Sequence, residues 1–348
     1  MEEKKKFGQF YTTNQKYILN GFTIPNKIIN IIEPFAGNGD LKIFIDKHNK
    51  KYKVEYYDIQ PKQDYIIKKD TLNNPPDYTN KFLITNPPYL ARNKSNDKSI
   101  FNKYDVNDLY KCLVKELLTN ICLGGILIIP LNFWSSIRKN DIKLRELFLE
   151  KYNIVLLNIF EEKVFEDTTS TICSFQFEIK NDNKENKINI MIYPSKNKIE
   201  TILNNDNNYL IGGDIYKLKL NNKYKITRLT KNNIDDKNTN ILAKCIDDNK
   251  DNKISLSLVN DNKIYIDQTP NLTSRTYATL VITPPIDKNK QTKLVENFNE
   301  YLNNYREKYN SLFLTNYRES KDIARKRISF SLVYSIVQYI LDQPGFKV

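Results

Sequence analysis

Three carboxylates and one stiff loop follow each other along the first quarter of the chain, each at the end of a strand-like run. Glu33 opens "EPFAGNGD" (33–40), Asp58 sits in "YYDIQP", Asp70 in "KKDTL", and "TNPPYLARN" (85–93) closes the apolar run "KFLIT". Pro87 and Pro88 have fixed φ and no N–H to donate, so the strand must stop there. The residue before each proline is held extended. Such a loop aims the Asn86 amide, the Pro87 carbonyl and the Tyr89 ring at one point. Gly37 and Gly39 allow a tight turn and close backbone approach to a ligand. A dinucleotide fingerprint needs a further glycine where Lys42 stands, and no Gly-Lys-Ser/Thr follows for a phosphate loop. Glu33 suits a cationic ligand better than a pyrophosphate. Asp58, nineteen residues after Gly39, is spaced to bind both hydroxyls of a ribose. Asp70 could accept from an adenine amino group. Taken singly, each feature is equally an ordinary loop acid or strand-ending turn. Together, in this order, they make one rim at the carboxyl ends of strands, where open α/β sheets bind ligands.

Seven strand-like runs must carry that rim: 28–35, 53–59, 64–70, 81–85, 124–133, 153–160 and 170–179. Apolar residues recur at helical spacing over 105–123 and 139–152. The alternation predicts an α/β fold, a twisted and mostly parallel sheet with helices on both faces. The last two strands follow closely, which places an antiparallel strand at the sheet edge. Beyond residue 180, Asn-rich polar breaks such as "NNIDDKNTN" and "DDNKDNK" separate short strand-like pieces. The expected organisation is therefore a domain over 1–180 and a second, partly β domain over 181–348. "DIARKRISFSLVYSIVQYIL" (322–341) reads as one amphipathic helix with Arg325, Lys326 and Arg327 in its first turns.

Composition excludes several chemistries. One histidine and four cysteines without a C-x-x-C pair are a poor ligand supply for zinc, so no metal is expected. No apolar run approaches the roughly 18–20 residues that span a bilayer, and "MEEKKKF" begins no signal segment. A soluble chain working in a cytoplasm, the host's if the chain is viral, is the expectation. The net charge of +13 points to a polyanion. Part of it follows from AT-rich coding, which brings lysine along with Asn, Ile and Tyr, so clustered arginine is better evidence. Residues 301–330 hold seven Lys/Arg against three acids, interleaved with Tyr301, Tyr305, Tyr309 and Tyr317.

"FGQFYTT" (7–13), "EPFAGNGD", "YDIQP" (57–61), "DTL" (70–72) and "TNPPYL" (85–90) resemble, in this order, the motifs of S-adenosylmethionine-dependent DNA amino-methyltransferases. The order is similar to the gamma arrangement of adenine-N6 enzymes of restriction-modification type. "GGILIIPLNFW" and "KVFEDTTSTICSFQF" resemble later motifs of that fold, so the likeness covers about 7–180. It implies a Rossmann-like seven-stranded methyltransferase domain followed by a target-recognition domain, acting by base flipping on double-stranded DNA. Asn86 and the Pro87 carbonyl would accept from adenine N6, with Pro88 stiffening the loop. Tyr89 would stack on the flipped base and Phe165 would pack on its other face. S-adenosylmethionine would be held by Tyr11, Thr12, Thr13, Glu33, Pro34, Gly37, Gly39, Asp58, Ile59, Asp70 and Thr71. Phe35, where a smaller residue is common, is expected only to pack. DNA contacts are expected from Arg92, Arg306, Lys308, Tyr317, Arg318, Arg325, Lys326 and Arg327, from a monomer, with a cognate restriction endonuclease as a companion the resemblance admits.

Asn-Pro-Pro-Tyr also occurs in protein-glutamine methyltransferases, and a related form in guanine-N2 RNA methyltransferases. Those place a separate domain before the cofactor core, whereas here the core begins near residue 28 and the extra domain follows. A non-catalytic DNA-binding protein on the same fold is the alternative from another class; the intact acidic rim speaks against it.

Overall fold

The structure, a computed structural model, describes residues 8, 11–48, 50–165, 168, 170–181, 185–247, 253–270, 276–319 and 324–346; for 316–319 and 324 it describes the backbone only. The chain divides into two compact units, Met1–Asn205 and Asp206–Val348. The change of composition at 180 thus falls inside the first unit.

That unit begins with a short helix α1 (Gln15–Ile18) and then alternates: β1 (Asn30–Glu33), α2 (Lys42–Asp46), β2 (Lys53–Asp58), β3 (Ile67–Lys68), β4 (Phe82–Thr85), α3 (Ser99–Tyr104), α4 (Leu109–Glu116), β5 (Gly124–Pro130), α5 (Asn132–Ser135), α6 (Lys139–Lys151), β6 (Tyr152–Phe160), β7 (Ile172–Ile179), β8 (Asn186–Tyr193) and β9 (Asn197–Leu203). One sheet takes the order β3-β2-β1-β4-β5-β7-β6-β8-β9. From β3 to β5 all pairs are parallel. This is the Rossmann-like seven-stranded sheet of the methyltransferase fold, extended by β8 and β9.

β4 and β5 are buried at every residue, as befits central strands covered on both faces. Gly125 lies opposite Leu83, and a Cβ there would meet the Leu83 carbonyl oxygen at 2.3 Å, so the close approach of β4 and β5 requires glycine. One face of the sheet is packed by Phe133, Trp134, Phe148, Phe175 and Phe177, whose rings lie 4.8–6.4 Å apart in mostly edge-on pairs.

Two expectations are corrected. The antiparallel strand β7 is not at the edge: it runs between β5 and β6, antiparallel to both. The run 64–70 contributes only two residues of strand, β3, at the true edge.

In the second unit, β10 (Lys225–Arg228), β11 (Ile241–Lys244), β12 (Ser255–Leu258) and β13 (Tyr277–Thr283) form an antiparallel sheet in the order β10-β13-β11-β12. The long helix α7 (Lys288–Tyr309) is N-capped by Asp287, whose carboxylate accepts from Lys290 N. Asn299 on α7 exchanges two 2.9 Å bonds with the Leu256 backbone of β12. The hairpin β14 (Thr315–Glu319) and β15 (Ala324–Arg327) follows, then helix α8 (Phe330–Asp342), N-capped by Ser329. The helix expected from 322 therefore begins at 330, and Arg325, Lys326 and Arg327 lie on a strand.

Candidate active site

The strand order reverses between β1 and β4, and the carboxyl ends of β1, β2 and β4 converge there. A cavity of about 230 Å³ opens at that point. Its lining includes Tyr11, Thr12, Glu33, Gly37, Asp58, Ile59, Asp70, Thr71, Asn86 and Pro88. That is space for many water-sized groups side by side, far more than a single buried water needs.

Glu33 ends β1 fully buried, and its Oε2 has no hydrogen-bond partner among the described residues. Burial first, then the nearby carboxylates of Asp40 and Asp58, hold its carboxyl well above the ordinary range. Asp58 ends β2 and ties down the glycine turn: Gly37 N donates to its Oδ2 at 2.8 Å and Gln60 N to its Oδ1 at 2.7 Å. Gly37 has φ +53°, and a Cβ there would meet the Tyr11 ring at 3.0 Å, so this turn needs glycine on both counts. Thr71 Oγ1 donates to the Pro34 carbonyl at 2.9 Å, fastening the end of the third strand to the same turn. Asp70 organises its own turn by accepting from Leu72 N and Asn73 N at 3.2 and 3.1 Å and from Asn73 Nδ2 at 2.7 Å. Gly39, Pro34 and the exposed Thr13 are not among the lining residues; a Cβ on Gly39 would run into the Tyr65 hydroxyl. Sequence reasoning missed Asp40, Asn73 and Phe101 on the cavity wall, and Phe35, expected only to pack, lines it as well.

At the end of β4 the loop turns its polar groups inward. Asn86 is 8% exposed; its Nδ2 donates to Thr12 Oγ1 at 3.1 Å, and its Oδ1 meets the Tyr89 hydroxyl. That hydroxyl also reaches the Ile128 carbonyl oxygen on β5 at 2.7 Å, so one proton serves two acceptors. Burial pushes the Tyr89 hydroxyl pKa well up. The Tyr89 ring packs edge-on against Tyr110, at 6.2 Å between centroids, and is not among the cavity-lining residues. Phe165 is buried; its neighbours 166–167 lie outside the described residues.

Beyond Tyr89 the loop is held to the entry of α4. Asp108 Oδ1 accepts from Leu90 N at 3.1 Å, Leu109 N donates to the Leu90 carbonyl at 3.2 Å, and Arg92 N to the Asn107 carbonyl at 2.9 Å. The Arg92 guanidinium itself donates to Asn102 Oδ1 at 2.6 Å, in an exposed setting. Burial raises the Asp108 carboxyl to about 6, against the opposing pull of Lys111 and three backbone N–H groups. A raised acid pKa contributes stability that is complete below the ordinary value and is lost as pH rises through about 6. Asp108→Asn should therefore raise stability at pH 8 by about 1–2 kcal/mol and flatten the pH dependence of the melting temperature between pH 4 and 7. Parallel profiles for the two proteins would refute this.

The residues expected to touch DNA divide by surroundings within their own unit. Arg306 is engaged: its guanidinium donates to the Ile254 carbonyl at 3.0 Å and to Asn303 Oδ1 at 3.1 Å, and pairs with Asp247 at 3.5 Å. Lys326 is buried and donates to the Asn310 carbonyl at 3.3 Å. Arg327 is half-buried, and its carbonyl accepts from Thr315 Oγ1. Lys308 and Arg325 are exposed, Lys308 beside the Tyr309 ring. Tyr317 and Arg318 lie on β14, with Arg318 paired to Arg325, and their side chains are outside the described residues. Tyr305 donates to Asp214 at 2.6 Å and Tyr309 is buried, so these rings pack within the unit.

Among the described residues no group of three or more His, Cys, Asp or Glu could hold a metal ion, the four cysteines are free and buried, and no helix is long and apolar enough to cross a membrane.

No family model and no curated protein matches the chain. Solved structures are similar over about half of it. The type I restriction-modification system methyltransferase subunit from Streptococcus thermophilus is 14% identical over 54% of this chain and 48% of its own, with a TM-score of 0.39. The type I restriction enzyme EcoKI M protein is 12% identical over 53% and 48%, with a TM-score of 0.37. The type IIL restriction-modification enzyme MmeI, solved in complex with DNA, is 14% identical over 52% and 35%, with a TM-score of 0.38. The chain matches less than half the length of each of these three.

Proposed function

We propose that the first unit is an S-adenosylmethionine-dependent methyltransferase that modifies N6 of adenine in double-stranded DNA, and that the second unit recognises the target sequence. The observation that carries this reading is the unpartnered carboxyl oxygen of Glu33, buried in a cavity whose lining also includes Asn86. A buried acid without a partner is costly and fits a site for a cationic ligand. S-adenosylmethionine, when bound, supplies a methyl group on a positively charged sulfur with a neutral leaving thioether. Glu33 would face its positive charge, Asp58 its ribose and Asp70 its adenine, with Gly37 allowing close approach.

Asn86 Oδ1 and the Pro87 carbonyl would then accept from the N6 amino group of an extruded adenine. Two acceptors would draw both protons of that group out of the ring plane, which takes the nitrogen lone pair out of conjugation and exposes it for in-line attack; the methylated nitrogen, cationic at first, then loses one proton to solvent. The protein's contribution would be positioning and fixed dipoles, which suits a cavity lined by no histidine or cysteine among the described residues. The Tyr89 ring would stack on the base once it turns out of its inward position, and Phe165 would pack on the other face; such stacking is worth roughly 1–3 kcal/mol per base and offsets an extrusion cost of a few kcal/mol. Of the residues expected at DNA, Lys308 and Arg325 are exposed cations of the second unit and would contact phosphate.

The test is transfer of labelled methyl from S-adenosylmethionine to unmethylated AT-rich genomic DNA, followed by nucleoside mass spectrometry. N6-methyladenine is the expected product. Label in RNA or protein would overturn the acceptor and keep the cofactor. No transfer and no cofactor binding by calorimetry would leave a non-catalytic DNA-binding protein.

A further inference from the structure

We propose that Thr12 is a positioning residue for Asn86, setting which end of the side-chain amide faces the target base, and is not primarily a cofactor contact. The inference rests on the reading that Asn86 accepts from the target amino group. An asparagine amide has one acceptor end and one donor end, and only the oxygen end serves that chemistry. Thr12 Oγ1 accepts from Asn86 Nδ2 at 3.1 Å across 74 residues of sequence, in a buried setting. The Tyr89 hydroxyl occupies the opposite end, against Oδ1. Each partner is a hydroxyl, able to donate or to accept, so the direction of the amide is set by where the protons go: Tyr89 turns its proton toward Oδ1 and the Ile128 carbonyl, and Thr12 receives the amino end. With the amino end claimed by Thr12, rotation of the amide would place two donors against the incoming amino group.

The segment that brings Thr12 to this point is itself anchored. Ser174 Oγ of β7 donates to the Ile18 carbonyl at 2.6 Å, Asn158 Nδ2 of β6 to the Asn20 carbonyl at 2.8 Å, and Thr23 N to Gln176 Oε1 at 3.2 Å. The same segment meets the catalytic loop a second time, where Tyr89 N donates to the Gly8 carbonyl at 2.9 Å. Three buried polar side chains on two neighbouring strands thus hold the backbone at residues 18–23, and the loop is met on both sides of the proline pair, by Thr12 Oγ1 at Asn86 and by the Gly8 carbonyl at Tyr89. Orientation of Asn86 is in this way supplied from outside its own loop.

Thr12→Val removes the hydroxyl while keeping the shape. The full-length variant should lose about 10-fold or more in kcat, keep its calorimetric Kd for S-adenosylmethionine within about twofold, and recover most of the rate in Thr12→Ser. A raised Kd or KM with kcat unchanged would overturn the proposal and make Thr12 a cofactor contact; unchanged kinetics throughout would overturn it too. A second readout needs no turnover. The Asn86 side-chain amide signal in a nitrogen-15 NMR spectrum, assigned by its loss in Asn86→Ala, should move in Thr12→Val and return in Thr12→Ser. An unmoved signal defeats the role of Thr12 even if the protein proves active, whereas a moved signal with no methyl transfer by the wild type defeats the functional reading alone.

Discussion

Replacing Asn86 with alanine should lower methyl transfer to DNA by about 10³-fold, the upper end of what one preorganised hydrogen-bonding group contributes to a rate. Its side chain bonds to the Thr12 and Tyr89 hydroxyls, and Tyr89 keeps its own bond to the Ile128 carbonyl when the amide is removed. The variant should therefore fold, melt within a few degrees of the wild type, and bind S-adenosylmethionine with a Kd changed less than about threefold. The loss belongs in kcat because the interaction with the amino group strengthens as nitrogen gains positive charge during attack, and an interaction made mainly in the transition state lowers kcat and kcat/KM together. Pre-steady-state transfer with DNA and cofactor both saturating measures it. A rate within tenfold of wild type would remove Asn86 from the chemistry and, with it, the reason for reading "NPPY" as a catalytic loop.

Much of the cavity could be read from the chain because its signals are local. An acid or an asparagine at the end of an apolar run, two glycines at a turn and two adjacent prolines all announce themselves within a few residues, and Glu33, Gly37, Asp58, Asp70 and Asn86 converge as their order along the chain implied. What was not legible is set by long-range pairing. β7 enters between β5 and β6, a choice made by matching Phe175 to both Leu127 and Leu157, which no window of sequence contains. The 322–341 segment keeps a helical apolar period to its N-terminal end, yet β15 pairs with β14 and Ser329 caps a helix that starts at 330; a Ser before an apolar run was the available signal. Arg306 and Lys326 count toward a basic surface in the sequence, but folded they are occupied by Asp247 and by the Asn310 and Ile254 carbonyls. Charge is countable from residues, whereas exposure is a tertiary property.

Glu33→Gln should weaken S-adenosylmethionine binding by about 10²-fold near pH 8, since removing one partner of a buried charge pair typically costs about 2–5 kcal/mol and each 1.4 kcal/mol is tenfold. The pH dependence is the sharper arm. Without ligand the Glu33 carboxyl is held above the ordinary carboxylate range, by burial first and by Asp40 and Asp58 after it; the Tyr56 and Tyr65 hydroxyls are pushed up by burial first and then by the Glu33 charge. A cationic ligand favours the carboxylate, so binding below the raised pKa must expel a proton. Affinity then rises about tenfold per pH unit until Glu33 ionises unaided, and levels off above that point. Calorimetry in buffers of different ionisation enthalpy counts the proton directly. Stability runs the other way: with the pKa raised in the fold, Glu33 contributes most below pH 4.5 and loses that contribution as pH climbs through its folded value. Glu33→Gln should accordingly melt higher than the wild type at alkaline pH without ligand and bind more weakly, with no proton released. A variant that binds S-adenosylmethionine as well as the wild type at every pH would mean that the buried carboxyl answers to something other than the charge of the ligand, and the cavity would lose its strongest claim to this cofactor.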